Sequence, residues 1–205
     1  EAFCTAKWVR ISFDSPVQAT YCRLRGLPAS AFDTVTRNIA DFAKMKDKDC
    51  VLGVNFVISH ANADKVYEAA RLLRELGCDN VKFAAVVENE PHYHAPIKDH
   101  VIEQIHRAQA DFAKNGFVII NNYENDWMDK NFHAQPFNIC YTCRLVTVIA
   151  ADQRVYLCHT RAYDSDAVVG DLHEQSFHDL WFSEATKHRL QSLQPRKDCK
   201  NFCVY

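Results

Sequence analysis

Nine cysteines punctuate this 205-residue chain, and five of them gather in its last third: Cys140-Tyr-Thr-Cys143, Cys158 and Cys199-Lys-Asn-Phe-Cys203. Thiolates grouped this way, with no charged-then-apolar leader ahead of them, read as soft-metal ligands rather than as a disulfide framework. A near-pair, a single Cys after a hairpin and a closing C-x-x-x-C can supply four sulfurs to one tetrahedral site. Zinc and an iron–sulfur cluster both fit that donor set. The plainer reading is ordinary buried cysteine, and it is the one assigned to Cys50 and Cys78, which stand at element ends.

A second set of candidates lies at strand ends. Ser12 and Asp14 close the apolar run Trp8-Val-Arg-Ile-Ser-Phe-Asp14, at the end of a parallel strand where βα proteins place their chemistry. Asn55 is a polar residue inside an apolar strand and is expected to face an interior lumen. The loop Glu88-Asn-Glu-Pro-His-Tyr-His94 follows another strand end. It reads as a solvated loop that borders a pocket, with its His and Glu residues as acid/base candidates. Tyr123-Glu-Asn-Asp-Trp127 reads as packing between two domains. No residue is assigned a catalytic role.

These residues need elements to position them. Val51–Ile58 and Asn80–Val87 are nearly continuous apolar strands, and Phe117–Tyr123 is a third. Helices fall between them: one opening at Ser30 with Phe32, Val35, Ile39 and Phe42 on one face, one carrying Val66 to Leu76 and stopped by Gly77, and one ending before Gly116. Strands alternating with helices give βαβ units and a parallel sheet, whose apolar strands are expected to be buried on both faces. After about residue 124 the rhythm changes. Arg144–Ala150 and Arg154–His159 read as a hairpin, and Ser176 opens a helix to about Leu193. The expected domains are 1–125 and 126–205.

The net charge of −2 and the lack of a basic stripe imply no nucleic-acid partner. No apolar run approaches the roughly 18 residues of a membrane span. A cytoplasmic location is the default expectation. Starting at Glu1 beside a strand, the sequence reads as a piece of something longer.

The order of these segments resembles the C-terminal part of radical SAM enzymes. Val9-Arg-Ile-Ser-Phe-Asp14, Tyr21-Cys-Arg-Leu-Arg-Gly26, Phe32-Asp33 and Asn38-Ile39 are similar to that family's fourth strand and the helix after it. Gly53 to Ser59 with Asn62, and Glu75-Leu-Gly77 with Val81-Lys-Phe83, are similar to the next two units. Cys140/Cys143, Val155-Tyr-Leu-Cys158, Gly170-Asp-Leu172, Phe177-His-Asp-Leu-Trp181 and Cys199-x-x-x-Cys203 resemble a SPASM or twitch domain, which holds an auxiliary [4Fe–4S] cluster.

The resemblance implies a partial TIM-like barrel followed by a small α+β cluster-binding domain. It implies that Ser12 and Arg25 hold the carboxylate of S-adenosylmethionine, with Asp14 and Asn55 nearby. In the tail, Cys158, Cys199 and Cys203 become cluster ligands, and Cys140 and Cys143 compete for the fourth place. The implied activity is generation of a 5′-deoxyadenosyl radical that abstracts hydrogen from a peptide, sugar or small-molecule substrate. The implied partners are that substrate, an N-terminal half and a reductase. The family's defining C-x-x-x-C-x-x-C does not occur in these 205 residues. The rival reading is therefore a non-catalytic, zinc- or cluster-stabilised module that docks a partner.

Overall fold

The structure is a computed structural model that describes residues 3–88, 90, 92–124 and 137–199. Contacts divide the chain into two compact units, Glu1–Lys130 and Asn131–Tyr205.

In the first unit, β1 (Trp8–Ser12), β2 (Val51–Ile58), β3 (Asn80–Ala85) and β4 (Val118–Asn121) form a four-stranded parallel sheet in that spatial order. Helices α1 (Gln18–Arg25), α2 (Ser30–Met45), α3 (Val66–Glu75) and α4 (Lys98–Phe112) lie in the connections. Crossovers between adjacent parallel strands are almost always right-handed, so a sheet wound in sequence order puts every helix on one face.

Burial follows that geometry. Ile11, Val54, Val81 and Ile119 share one register row, and Val54 and Val81 on it are fully buried. They pack with Ile39, Leu73 and Ile105 from α2, α3 and α4. The next row, Ser12, Asn55, Lys82 and Ile120, points to the other face and is half-buried to exposed. The expectation of strands buried on both faces is therefore corrected. The apolar runs are real, but the polar residues interrupting them at Ser12, Asn55 and Lys82 mark the less buried face of the sheet.

One short element is not visible in the periodicity. Helix α1 buries only Tyr21 and Cys22, too little for an apolar stripe. It forms because Tyr21 packs on Phe13 and Phe32 with ring centroids 5.2 and 5.8 Å away, contacts worth roughly 1 kcal/mol each beyond area burial. Gly26 then ends it in the left-handed region at φ 63°, with Leu27 N–H closing on the Cys22 carbonyl.

Cys50 and Cys78 are buried, at 2% and 6% exposure. Burial, with Asp79 alongside, pushes the Cys78 thiol up to about 12. The fold thus favours the neutral thiol, and the stability tied to it is intact below the ordinary thiol pKa of about 8.5 and lost as the pH climbs toward 12. Iodoacetamide treatment near pH 8 should leave Cys78 unmodified in the native protein and alkylate it in denaturant, read by peptide mass spectrometry. Rapid native labelling at Cys78 would refute the buried, protonated thiol.

The second unit holds a three-stranded antiparallel sheet, β5 (Val148–Ile149), β6 (Arg154–Tyr156) and β7 (Val168–Asp171). The expected hairpin exists only as its short β5–β6 core, because residues 142–145 form the helical turn α5 (Thr142–Leu145). The expected helix from Ser176 is two helices, α6 (Phe177–Trp181) and α7 (Glu184–Ser192). The break is chemical: Ser183 Oγ accepts from Thr186 N–H and donates to the Leu180 carbonyl, so it caps the second helix while ending the first. The short helix α8 (Pro195–Asp198) leads to Cys199.

Candidate cofactor sites

The C-terminal ends of β1 and β2 converge on Asp14. Its Oδ1 accepts from the Val57 amide at 3.1 Å, and its Oδ2 accepts from Arg25 Nη2 at 2.5 Å. The same Nη2 donates to Ser12 Oγ at 2.6 Å. Helix α1 delivers Arg25 here from its last residue, with Gly26 ending the helix directly after it. Ser12, Asp14 and Arg25 are thus in direct contact, and Asn55 is the register partner of Ser12 on the same sheet face.

The residue that locks this arrangement is Asn62, fully buried in the turn after β2. Its Nδ2 donates to the Asp14 carbonyl at 2.7 Å and to the Val57 carbonyl at 2.8 Å, and its Oδ1 accepts from Ser59 N–H at 2.8 Å. Read along the chain, Asn62 looks like a helix-start residue. Its separation of 48 positions from Asp14 carries no local signal.

Beside this network opens a cleft of about 450 Å³, lined among others by Asp14, Ser59, His60, Asn62, Glu88 and Tyr93. His60 and Tyr93 stack at 4.2 Å with planes 18° apart, and His60 Nε2 lies 2.6 Å from the Tyr93 carbonyl. The solvated-loop reading of 88–94 is corrected at His94, which is 9% exposed. Its Nε2 must donate to the Val86 carbonyl at 2.9 Å, so its Nδ1 accepts from the Tyr123 hydroxyl at 3.1 Å. With both nitrogens bonded, His94 holds the loop down and is withdrawn from the acid/base candidates. Tyr123 is buried in this contact, while Trp127 lies outside the described residues.

In the second unit Cys143 is fully buried on α5. Its N–H donates to Cys140 Sγ at 3.4 Å, and its thiol donates to the Cys140 carbonyl at 3.2 Å. Burial pushes the Cys143 thiol up to about 12, with Cys140 and then Cys158 adding to the shift. Cys143 also packs in one buried cluster with Tyr156 and Leu157, the residues leading to Cys158, with Cys140 against it. Cys158 Sγ lies 3.1 Å from Thr160 Oγ1. Its loop is braced by buried Arg161, which donates to Asp164 Oδ2 through Nε at 3.1 Å and Nη2 at 2.8 Å.

Cys199 is partly exposed, and Cys203 lies outside the described residues. Among the described residues no three His, Cys, Asp or Glu side chains close on a metal-sized site. Among the described residues Cys140, Cys143 and Cys158 are free thiols. As donors they suit an iron–sulfur cluster, which is held by Cys thiolates.

Comparison with known proteins bears directly on this tail. Residues 140–203 match the SPASM family, an iron–sulfur cluster-binding domain. The tail is similar to a SPASM domain. The chain is 22% identical over 182 residues to the PqqA peptide cyclase of Gluconobacter oxydans, covering 84% of this chain and 48% of that protein. Its fold is similar to part of that of Streptococcus suis SuiB. The structure of SuiB bound to S-adenosylmethionine superposes with a TM-score of 0.58 at 14% identity, over 90% of this chain and 44% of that one. SuiB bound to its precursor peptide SuiA gives 0.55 at 11% identity, over 91% and 44%. The chain spans about half the length of the relatives it matches. It is similar to the C-terminal part of radical SAM enzymes that carry a SPASM domain. Among the described residues no helix is long and apolar enough to cross a membrane.

Proposed function

We propose that this chain is the C-terminal portion of a radical SAM maturase acting on a peptide, with residues 1–125 as an arc of a TIM-like barrel and 126–205 as its auxiliary-cluster domain. The observation that carries the reading is the contact of Arg25 with Ser12 at the C-terminal end of a one-sided parallel sheet, in the same chain as the SPASM tail. A guanidinium beside a hydroxyl suits a carboxylate, because both donate and the cation is never deprotonated. Ser12 and Arg25 would hold the carboxylate of S-adenosylmethionine, with Asp14 and Asn55 bordering it. That cofactor, when bound and reductively cleaved, supplies a 5′-deoxyadenosyl radical for hydrogen abstraction.

The chain's own residues bind, orient and exclude water. Asn62 and Asp14 tie β1 to β2 so that the strand ends cannot splay. The His60–Tyr93 stack walls the cleft, and Glu88 presents a carboxylate to it. In the tail, Cys158, Cys199, Cys203 and one of Cys140 or Cys143 would ligate a [4Fe–4S] cluster that accepts or relays an electron or anchors the substrate. A peptide substrate is favoured over a sugar or small alcohol by the relatives, a peptide cyclase and an enzyme solved with its precursor peptide.

The test is equilibrium binding. Arg25→Gln should weaken S-adenosylmethionine binding by about tenfold or more, the loss expected for one charge-assisted hydrogen bond. Equal binding by the wild type and R25Q would remove Arg25 from the site.

A further inference from the structure

We infer that Asp14 is an internal carboxylate occupying Arg25, which an incoming ligand carboxylate must displace. This inference rests on the reading of Ser12 and Arg25 as a carboxylate site. Terminal nitrogen Nη2 of Arg25 has two hydrogens, and the structure commits one to Ser12 Oγ and the other to Asp14 Oδ2. Both bidentate geometries of a guanidinium at this end, end-on through Nη1 and Nη2 or side-on through Nε and Nη2, require an Nη2 hydrogen. With both hydrogens taken, a carboxylate can reach the fork only by exchange.

The surroundings decide which partner yields. Asp14 is fixed: its other oxygen accepts from the Val57 amide, and its backbone carbonyl accepts from buried Asn62. Its side chain is 16% exposed against 33% for Arg25. Arg25 is the movable member, on the last turn of an eight-residue helix that ends at Gly26. Releasing Arg25 leaves Asp14 with its Val57 hydrogen bond, so the exchange strands no buried charge without a donor. Ser12 keeps its place beside the guanidinium in either state. In the closed state Asp14 and Arg25 neutralise each other. In the open state Asp14 faces the cleft, which it already lines.

Asp14 therefore sets affinity by competition, not by contact. Removing its charge frees the fork and should tighten binding by about fivefold, the worth of a partly exposed ion pair near 1 kcal/mol. The experiment measures S-adenosylmethionine binding to the 205-residue protein by equilibrium dialysis for the wild type, Asp14→Asn, Asp14→Ala and R25Q, with melting temperatures alongside. Support is tighter binding by D14N and D14A, abolished when either is combined with R25Q. Weaker binding by both Asp14 variants, each still folded, makes Asp14 a positioning residue and overturns the inference while the Ser12–Arg25 reading stands. Unchanged affinity overturns it equally. Binding by R25Q equal to the wild type, or no binding by any variant, overturns the Ser12–Arg25 reading and the inference with it. If D14A melts early, D14N decides, since its amide oxygen retains the Val57 bond.

Discussion

Cys158→Ala is expected to leave the anaerobically reconstituted protein nearly colourless, with its bound iron reduced to a small fraction of the wild-type content. The wild type under the same treatment should turn brown. Cys158 follows β6 by two residues, after Tyr156 and Leu157, which share a buried cluster with Cys143, Cys140 packing against it, and the SPASM match spans it and both flanking Cys pairs. Removing one sulfur from a four-thiolate set opens a ligand position to water, and for a cluster the loss of one anchor exposes sulfide to acid and oxygen. Cys140→Ala and Cys143→Ala, made singly, separate the two claimants for the remaining place: the ligand's loss should mimic C158A and the other's should spare the iron. Iron and labile-sulfide assays read the outcome. Full iron content in C158A would rule that residue out of the ligand set. Stoichiometric zinc with no iron in the wild type would convert the tail to a zinc-stabilised module.

Asn62→Ala is expected to cost about 3 kcal/mol of unfolding free energy, the largest loss of any single substitution on the first unit's polar network. The estimate follows from what is stranded. The part-buried Ser59 amide and Asp14 and Val57 carbonyls each lose their bond to the fully buried Asn62 side chain, and each unsatisfied buried group costs roughly 1–3 kcal/mol, partly relieved by an entering water. Asn62→Asp should recover little, because a carboxylate keeps the acceptor for Ser59 but replaces the Nδ2 donor with negative charge facing two carbonyls. Urea unfolding with an unchanged m-value checks the number. A midpoint within experimental error of the wild type would show that the network contributes nothing net.

How much of this was legible in the sequence depends on whether the relevant signal is local. Strands β2 and β3 could be read from continuous apolar runs, and α3 from its stripe ending at Gly77. The tail's metal chemistry was legible because cysteine spacing is itself a local pattern. Strand β7 was not, since Val-Val-Gly-Asp is four residues with no alternation, held by pairing with β6. The split at Ser183 was missed because one hydroxyl there serves two helices, and the apolar spacing runs on across it. The loop histidines show the limit most sharply. His94 and His92 are two residues apart, yet only His94 meets a carbonyl and a tyrosine hydroxyl from other segments. The buried roles of Asn62 and His94 each include one contact far along the chain, 48 and 29 positions away, which no window of neighbouring residues contains.

The sheet that carries the first site also has two open margins. Among the described residues β1 pairs only with β2, and β4 only with β3. Each outer margin presents main-chain donors and acceptors that another extended segment can join. Trp8 at 67% exposure and Val118 at 53% put apolar surface beside those margins, and the small net charge of −2 gives little mutual repulsion between copies. A lysine placed on the margin at Trp8 or Val118 is therefore expected to raise the concentration at which the isolated chain stays monomeric, read by light scattering across a dilution series.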